Sequence, residues 1–341
     1  MMATARPARR AACYHGRHVR RLVVLVCGLA SGCNWALDLP APRLLDGGAP
    51  DGADQCGPGA GAPSARPRDL TVGGAPFALD AVAELGGTRF AIGVSESNAS
   101  DGVVVRMTGA TTSAEYIGGA QNDQLWASAT GATEVFAVGL TRSFLAGATD
   151  VQALAVWLTA TGTDARRLFF PAALGLDLSA AGTDGANWLA AGRAGDGATA
   201  AVVRISADRT QVVTTLVTFG ALTQVRPRRI LAFDGLVLVL GGSSTAGWIV
   251  ALDRAEFDRV VWTATLPMMP FDADPVGPDL EVAGVNGIDG VIAALGQGGQ
   301  LRSLRRFPGH RIHRLVTRGT TRWIAGPQGP NLFVGTLAGQ A

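Results

Sequence analysis

The feature that most constrains this chain is a short apolar run closing on glycine, repeated along its length. Val135-Phe136-Ala137-Val138-Gly139 is the clearest copy. Others are Phe90-Ala-Ile-Gly93, Trp188-Leu-Ala-Ala-Gly192, Val237-Leu-Val-Leu-Gly241, Val291-Ile-Ala-Ala-Leu-Gly296 and Trp323-Ile-Ala-Gly326. The closing glycines stand 46, 53, 49, 55 and 30 residues apart. Each run follows a turn glycine (Gly87, Gly131, Gly185, Gly235, Gly290 and Gly319), with 6 to 8 residues from turn glycine to closing glycine. Three of these turns are Asp-Gly, at Asp184, Asp234 and Asp289, the pair favoured where a two-residue hairpin needs positive φ.

Two further series keep the same order. Gly102-Val-Val-Val-Arg-Met-Thr, Leu154-Ala-Val-Trp-Leu-Thr, Ala201-Val-Val-Arg-Ile-Ser and Trp248-Ile-Val-Ala-Leu-Asp read as a third strand. Ser113-Ala-Glu-Tyr-Ile, Arg167-Leu-Phe-Phe, Val212-Val-Thr-Thr-Leu-Val and Val260-Val-Trp-Thr-Ala-Thr read as a fourth. A repeat near 50 residues built from short strands predicts an all-β β-propeller of six four-stranded blades, with five or seven blades as alternatives. The last unit ends after Leu332-Phe-Val-Gly-Thr-Leu, one strand short, and Asp69-Leu-Thr-Val72 is expected to fill that gap and close the ring. Residues 69–341 therefore form the propeller in this reading.

Blade four, residues 234–266, carries Trp248-Ile-Val-Ala-Leu-Asp253 and Val261-Trp262-Thr-Ala-Thr-Leu266. It resembles the degenerate propeller repeats of secreted bacterial proteins. The set of paired glycines, Tyr and Trp found in kelch repeats and the Trp-Asp ends of WD40 blades are both missing. The resemblance implies a fold and no particular activity.

The first 32 residues hold six arginines and no acid. Arg20-Arg21 precede Leu22-Val-Val-Leu-Val-Cys-Gly-Leu-Ala30, followed by Ser31-Gly32-Cys33. A basic start, a short apolar stretch and small residues at the cut make residues 1–32 a secretory signal peptide, too short for a bilayer span. Leu29-Ala30-Ser31-Gly32-Cys33 resembles the lipobox of bacterial lipoproteins, with Ala30 where that family most often has Leu. The resemblance implies that Cys33 is acylated, that acyl chains hold the chain to the membrane, and, with Asn34 next, outer-membrane sorting in a bacterial cell envelope. Residues 33–68 read as a flexible tether, since Pro, Gly and Ala supply 18 of the 29 residues from 40 to 68. Cys56 there is either incidental or the site of an intermolecular disulfide.

All 29 basic side chains are arginine. Without the leader, 23 arginines face 27 acids, a formal charge of −4, so the body gives no global case for nucleic-acid binding. Catalytic signatures are missing too. There is no Gly-x-Ser-x-Gly outside the leader, no Cys–His pair, and no Gly-Lys-Ser/Thr phosphate loop in a chain without lysine. His310 and His313 are expected on opposite faces of a strand and exposed, which disfavours a shared metal. Thr183-Asp184-Gly185-Ala-Asn-Trp188 reads as a hairpin turn. Asp272, Asp274 and Asp279 are placed in the longest connection, Leu266 to Glu281, with a spacing that matches no calcium loop. No cofactor and no metal site is expected.

One local charge feature stands out. Arg302, Arg305, Arg306, Arg311, Arg314, Arg318 and Arg322 have no acid among them, and the five acids Asp272, Asp274, Asp279, Glu281 and Asp289 precede them. Either the two groups neutralise each other across neighbouring blades, or Arg302, Arg305, Arg306, Arg311 and Arg314 form an anion-binding surface for a protein or an anionic envelope ligand. The sequence thus points to an envelope-anchored, non-catalytic binding propeller. An envelope hydrolase or lyase with carboxylates meeting at one propeller face is the alternative.

Overall fold

The computed structural model describes residues 43–45, 71–72, 75–95, 101–118, 121–142, 151–168, 175–219, 225–242, 246–319, 321–328 and 331–337. The leader, Cys33 and Cys56 lie outside the described residues. The strands form six sheets in sequence order, the blades of a propeller. Blade one contains Ala75–Leu85, Thr88–Ser95, Gly102–Thr108 and Thr111–Ile117, with the short Thr71–Val72 added before them. Blade two contains Asp123–Thr130, Val135–Thr141, Gln152–Leu158 and Thr163–Leu168, and blade three Asp177–Thr183, Asn187–Arg193, Thr199–Ser206 and Val212–Thr218. Blade four contains Arg226–Phe233, Leu236–Gly242, Gly247–Asp253 and Val260–Leu266, and blade five Met269–Val276, Asp279–Asn286, Asp289–Leu295 and Leu301–Phe307. Blade six contains Arg314–Arg318, Thr321–Gln328 and Asn331–Leu337, completed by Arg43–Leu45.

The expected ring closure needs correction in its details. Thr71–Val72 pair with Pro76 and Ala75 of their own blade, across a turn too tight to let them reach blade six. The strand that completes blade six comes from further upstream. Arg43–Leu45 lie parallel to Gly335–Leu337, inside the segment read as tether. A strand brought from such a distance can pair parallel, which a tight hairpin cannot.

In blades one to four the second strand reads as an apolar run because it is buried on both faces between neighbouring blades. Val135–Val138 are all fully buried, as are Val237 and Val239. Each consecutive pair of blades shares an apolar cluster. Between blades two and three, Phe136 packs on Trp157 at 5.2 Å and on Trp188 at 5.4 Å between centroids. Outermost strands such as Thr111–Ile117 and Val212–Thr218 are largely exposed, which explains their Thr-rich, less apolar sequences.

Blade five corrects the repeat. Val291-Leu295 belongs to its third strand, and the chain turns at Gly287, so Gly290 is not the turn glycine expected. The second strand is Asp279–Asn286, closing on Gly284, and Met269–Val276 is a first strand where the sequence suggested a connection. With Gly284 in place of Gly296, the closing glycine recurs in all six blades for one reason. A Cβ there would lie 1.9 Å from the Ala78 oxygen at Gly93, 1.7 Å from Gln124 at Gly139, 1.8 Å from Asp177 at Gly192, 2.5 Å from Arg226 at Gly241, 2.4 Å from Met269 at Gly284 and 1.8 Å from Arg311 at Gly326. In each blade the first strand folds its backbone carbonyl against the glycine.

Candidate functional site

That close approach is made by a bulge, and the bulge builds the site. The pairing of first and second strands skips one residue in each of blades one to five: Asp80, Trp126, Ser179, Arg228 and Phe271. In blade six, His313 holds the same place, donating its backbone N–H to the Ala325 carbonyl at 2.9 Å just before the strand begins. A bulge re-aims the side chain that it frees from the ladder. First strands line the propeller axis, where those of adjacent blades touch one another. The six freed residues therefore stand toward one end of the propeller axis, its mouth, where the first strands start.

Contacts between blades support this convergence. The Arg226 guanidinium of blade four lies over the Trp126 ring of blade two at 4.9 Å, and Arg228 lies over Phe271 at 4.5 Å. His313 stacks on the other ring of that pair, Phe271, at 4.0 Å between centroids. The Ser179 hydroxyl donates to the Pro227 carbonyl at 2.7 Å, tying blade three to blade four beside the mouth.

The electrostatics are mainly cationic. Burial pushes Arg228 down to about 10, with Arg226 adding to the effect. Its recorded polar contact is the weak acceptor Sδ of Met269 at 3.6 Å, and its Nε is buried with no hydrogen-bond partner among the described residues. Asp80 is exposed yet walled by protein, which raises its carboxyl to about 6, while Arg226 acts to lower it.

His313 was expected to be exposed. Instead it is half-buried, and burial first, then Arg311, Arg314 and Arg228, hold it down at about 4. Its Nε2 is buried without a hydrogen-bond partner. The folded imidazole thus stays neutral while an unfolded one takes up a proton below its ordinary value, so stability falls as pH drops from 6.5 toward 4. Urea unfolding should show this contribution as a loss of about 2 kcal/mol between pH 7.5 and 5. His313→Phe, which retains the stack on Phe271, should abolish that part of the slope; an unchanged pH profile would refute it.

The arginine run is divided by the fold. Arg302, Arg305 and Arg306 lie on Leu301–Phe307, the outermost strand of blade five, far from the axis. Arg302 pairs with Asp279 at 2.7 Å, and Arg305 covers Phe307 at 5.1 Å. Arg322 pairs with Glu281 between blades five and six, so the acidic stretch does neutralise part of the run. Arg311 and Arg314 flank His313 and join the axial mouth. They belong with Arg226 and Arg228, which the sequence reading did not select.

The acidic residues of blade five are engaged across the blade junctions. Asp272 accepts from the Leu315 N–H at 3.1 Å and pairs with Arg229 at 3.1 Å, while Asp274 accepts from the Thr317 N–H. Burial raises Asp274, and the neighbouring Asp272 adds to the rise. These carboxylates fasten blade six to blade five. The Asp184 carboxylate accepts from the Ala186 and Asn187 N–H groups at 2.9 and 2.6 Å, as a hairpin turn requires. A closed cavity of about 10 Å³ beside Phe233, Trp262 and Leu280 has room for about one water and no ligand.

Every residue of the axial ring stands thirteen positions before its blade's closing glycine, from Asp80 before Gly93 to His313 before Gly326. That offset was the available signal. It is hidden because the six side chains share no chemistry.

No family model matches the chain, and no curated protein matches it. Solved structures do resemble it. A prolyl endopeptidase matches with a TM-score of 0.48 and 15% identity, over 80% of this chain and 42% of its own. A dihydro-heme d1 dehydrogenase matches with a TM-score of 0.47 and 13% identity, over 72% and 50%. Trypanosoma rangeli sialidase matches with a TM-score of 0.46 and 9% identity, over 74% and 52%. The chain spans half or less of the first two proteins. Likenesses at these TM-scores and identities carry no argument about this chain. By its own strand order, this chain is a six-bladed β-propeller.

Proposed function

We propose that this chain is a lipid-anchored binding propeller of the bacterial cell envelope, acylated on Cys33, which receives its ligand at the axial mouth without transforming it. The observation that supports this reading most is the ring of bulge residues, which brings side chains of six separate blades to one place. A structural bulge needs no particular side chain, so a mouth furnished with Arg228, Phe271, His313 and Trp126 suits recognition better than packing. The hydrolase or lyase alternative has less support. It needs two carboxylates facing a substrate, and Asp80 has no second carboxylate beside it in the ring, since Asp272 and Asp274 are engaged by blade six.

Two measurements test this function. Mass spectrometry of the membrane-extracted protein should show cleavage after Gly32 and added acyl mass, and Cys33→Ser should release the protein or stall its processing. Crosslinking in native envelopes should capture a ligand that the Arg226→Gln, Arg228→Gln, Arg311→Gln triple variant loses. Capture that the triple variant retains in full would move the binding surface away from the mouth.

A further inference from the structure

The side chains at the mouth specify a class of ligand, an inference that rests on the axial-mouth reading above. Four guanidinium groups gather there, Arg226, Arg228, Arg311 and Arg314. Elsewhere in blades four to six, Arg229 pairs with Asp272, Arg302 with Asp279, and Arg322 with Glu281. The mouth's own carboxylate, Asp80, faces Arg226 and leaves three positive charges without an opposite.

The polar atoms point the same way. Arg228 Nε and His313 Nε2 are both buried without a hydrogen-bond partner among the described residues. They flank one ring, Phe271, Arg228 at 4.5 Å and His313 at 4.0 Å. An unsatisfied buried donor carries the desolvation cost of its burial until an acceptor reaches it. A guanidinium and a neutral imidazole protonated on Nε2 are both donors to an oxyanion. The planar fork of arginine fits carboxylate and phosphate, and charge-assisted bonds to them are the stronger kind.

We propose that the axial mouth binds a small multivalent oxyanion, carrying two or more carboxylate or phosphate groups. One group sits against Arg228 and His313 Nε2, and another reaches Arg226. Arg311 and Arg314 supply the surrounding field. Asp80 opposes the ligand by competing for Arg226.

The test titrates the purified protein with citrate and, separately, with inorganic pyrophosphate, by calorimetry at pH 7. At least one should bind, and the two arms decide between carboxylate and phosphate. Raising sodium chloride from 50 to 500 mM should weaken binding at least tenfold, because screening shortens to a few ångströms. Arg228→Gln should weaken it at least tenfold and His313→Phe about fivefold, with unchanged melting at pH 7.5 as the folding control. Arg302→Gln and Arg306→Gln, on the rim, should have no effect. Asp80→Asn should tighten binding at pH 7 and much less at pH 5, where the wild-type carboxyl is already largely protonated. Failure of both anions to bind, or binding indifferent to Arg228→Gln, overturns the proposal. If the envelope ligand is lost in the triple variant yet neither anion competes with it, the mouth stands as the binding site and the oxyanion class falls. If the triple variant keeps the envelope ligand, both fall together.

Discussion

Gly139→Ala should destabilise the protein by about 3–5 kcal/mol, far more than one methyl group ordinarily costs. The added Cβ would stand 1.7 Å from the Gln124 carbonyl oxygen, 2.7 Å from its carbon and 2.9 Å from the Leu125 Cα. These are backbone atoms held by the bulge, so no side chain can rotate away to make room. The ladder of blade two would have to open where Val135–Val138 are fully buried. A control separates this crowding from the usual reason for glycine. Gly309 has φ of 70° and nothing within 4 Å of an added Cβ, so Gly309→Ala should cost only about 1 kcal/mol through its backbone conformation. Urea unfolding of the two variants beside the wild type makes the comparison. Equal losses would mean that the bulge yields easily and does not explain the repeated glycine.

Asp272→Ala should cost about 3 kcal/mol. Asp272 is 5% exposed and accepts from two backbone N–H groups, its neighbour Ala273 at 3.0 Å and Leu315 of blade six at 3.1 Å. It also neutralises Arg229 of blade four at 3.1 Å, so one side chain links three blades. Its removal leaves a backbone donor and a partly buried guanidinium without their acceptor. Asp272→Asn retains an oxygen for Leu315 and should cost less. Limited proteolysis should find blade six cut first in the alanine variant. Cleavage spread evenly over all six blades would show that Asp272 is not the fastening between five and six.

These two residues also show what the sequence could and could not reveal. Strands buried on both faces must be apolar throughout, so the second strands of blades one to four were legible, as was the glycine that ends each. Blade five was misread because its first strand contains Pro270, Asp272, Asp274 and Pro275, a composition that reads as loop. Its carboxylates are satisfied by Leu315 and Thr317, some forty residues later, and no local pattern announces such a partner. The axial site was harder still. A repeat is recognised by what its copies share, whereas Asp80, Trp126, Ser179, Arg228, Phe271 and His313 share only a position. Arg311 and Arg314 were found through their charge, but the sequence grouped them with Arg302, Arg305 and Arg306, which the fold carries to the rim.

Under the proposed acylation of Cys33, the parallel pairing of Arg43–Leu45 limits how far the propeller can stand from a membrane. With Cys33 acylated, the leash is the ten residues from Cys33 to Arg43 and not the full stretch to blade one. Ten residues span at most about 35 Å when fully drawn out, so the proposed anchor would keep blade six within that distance of the headgroups.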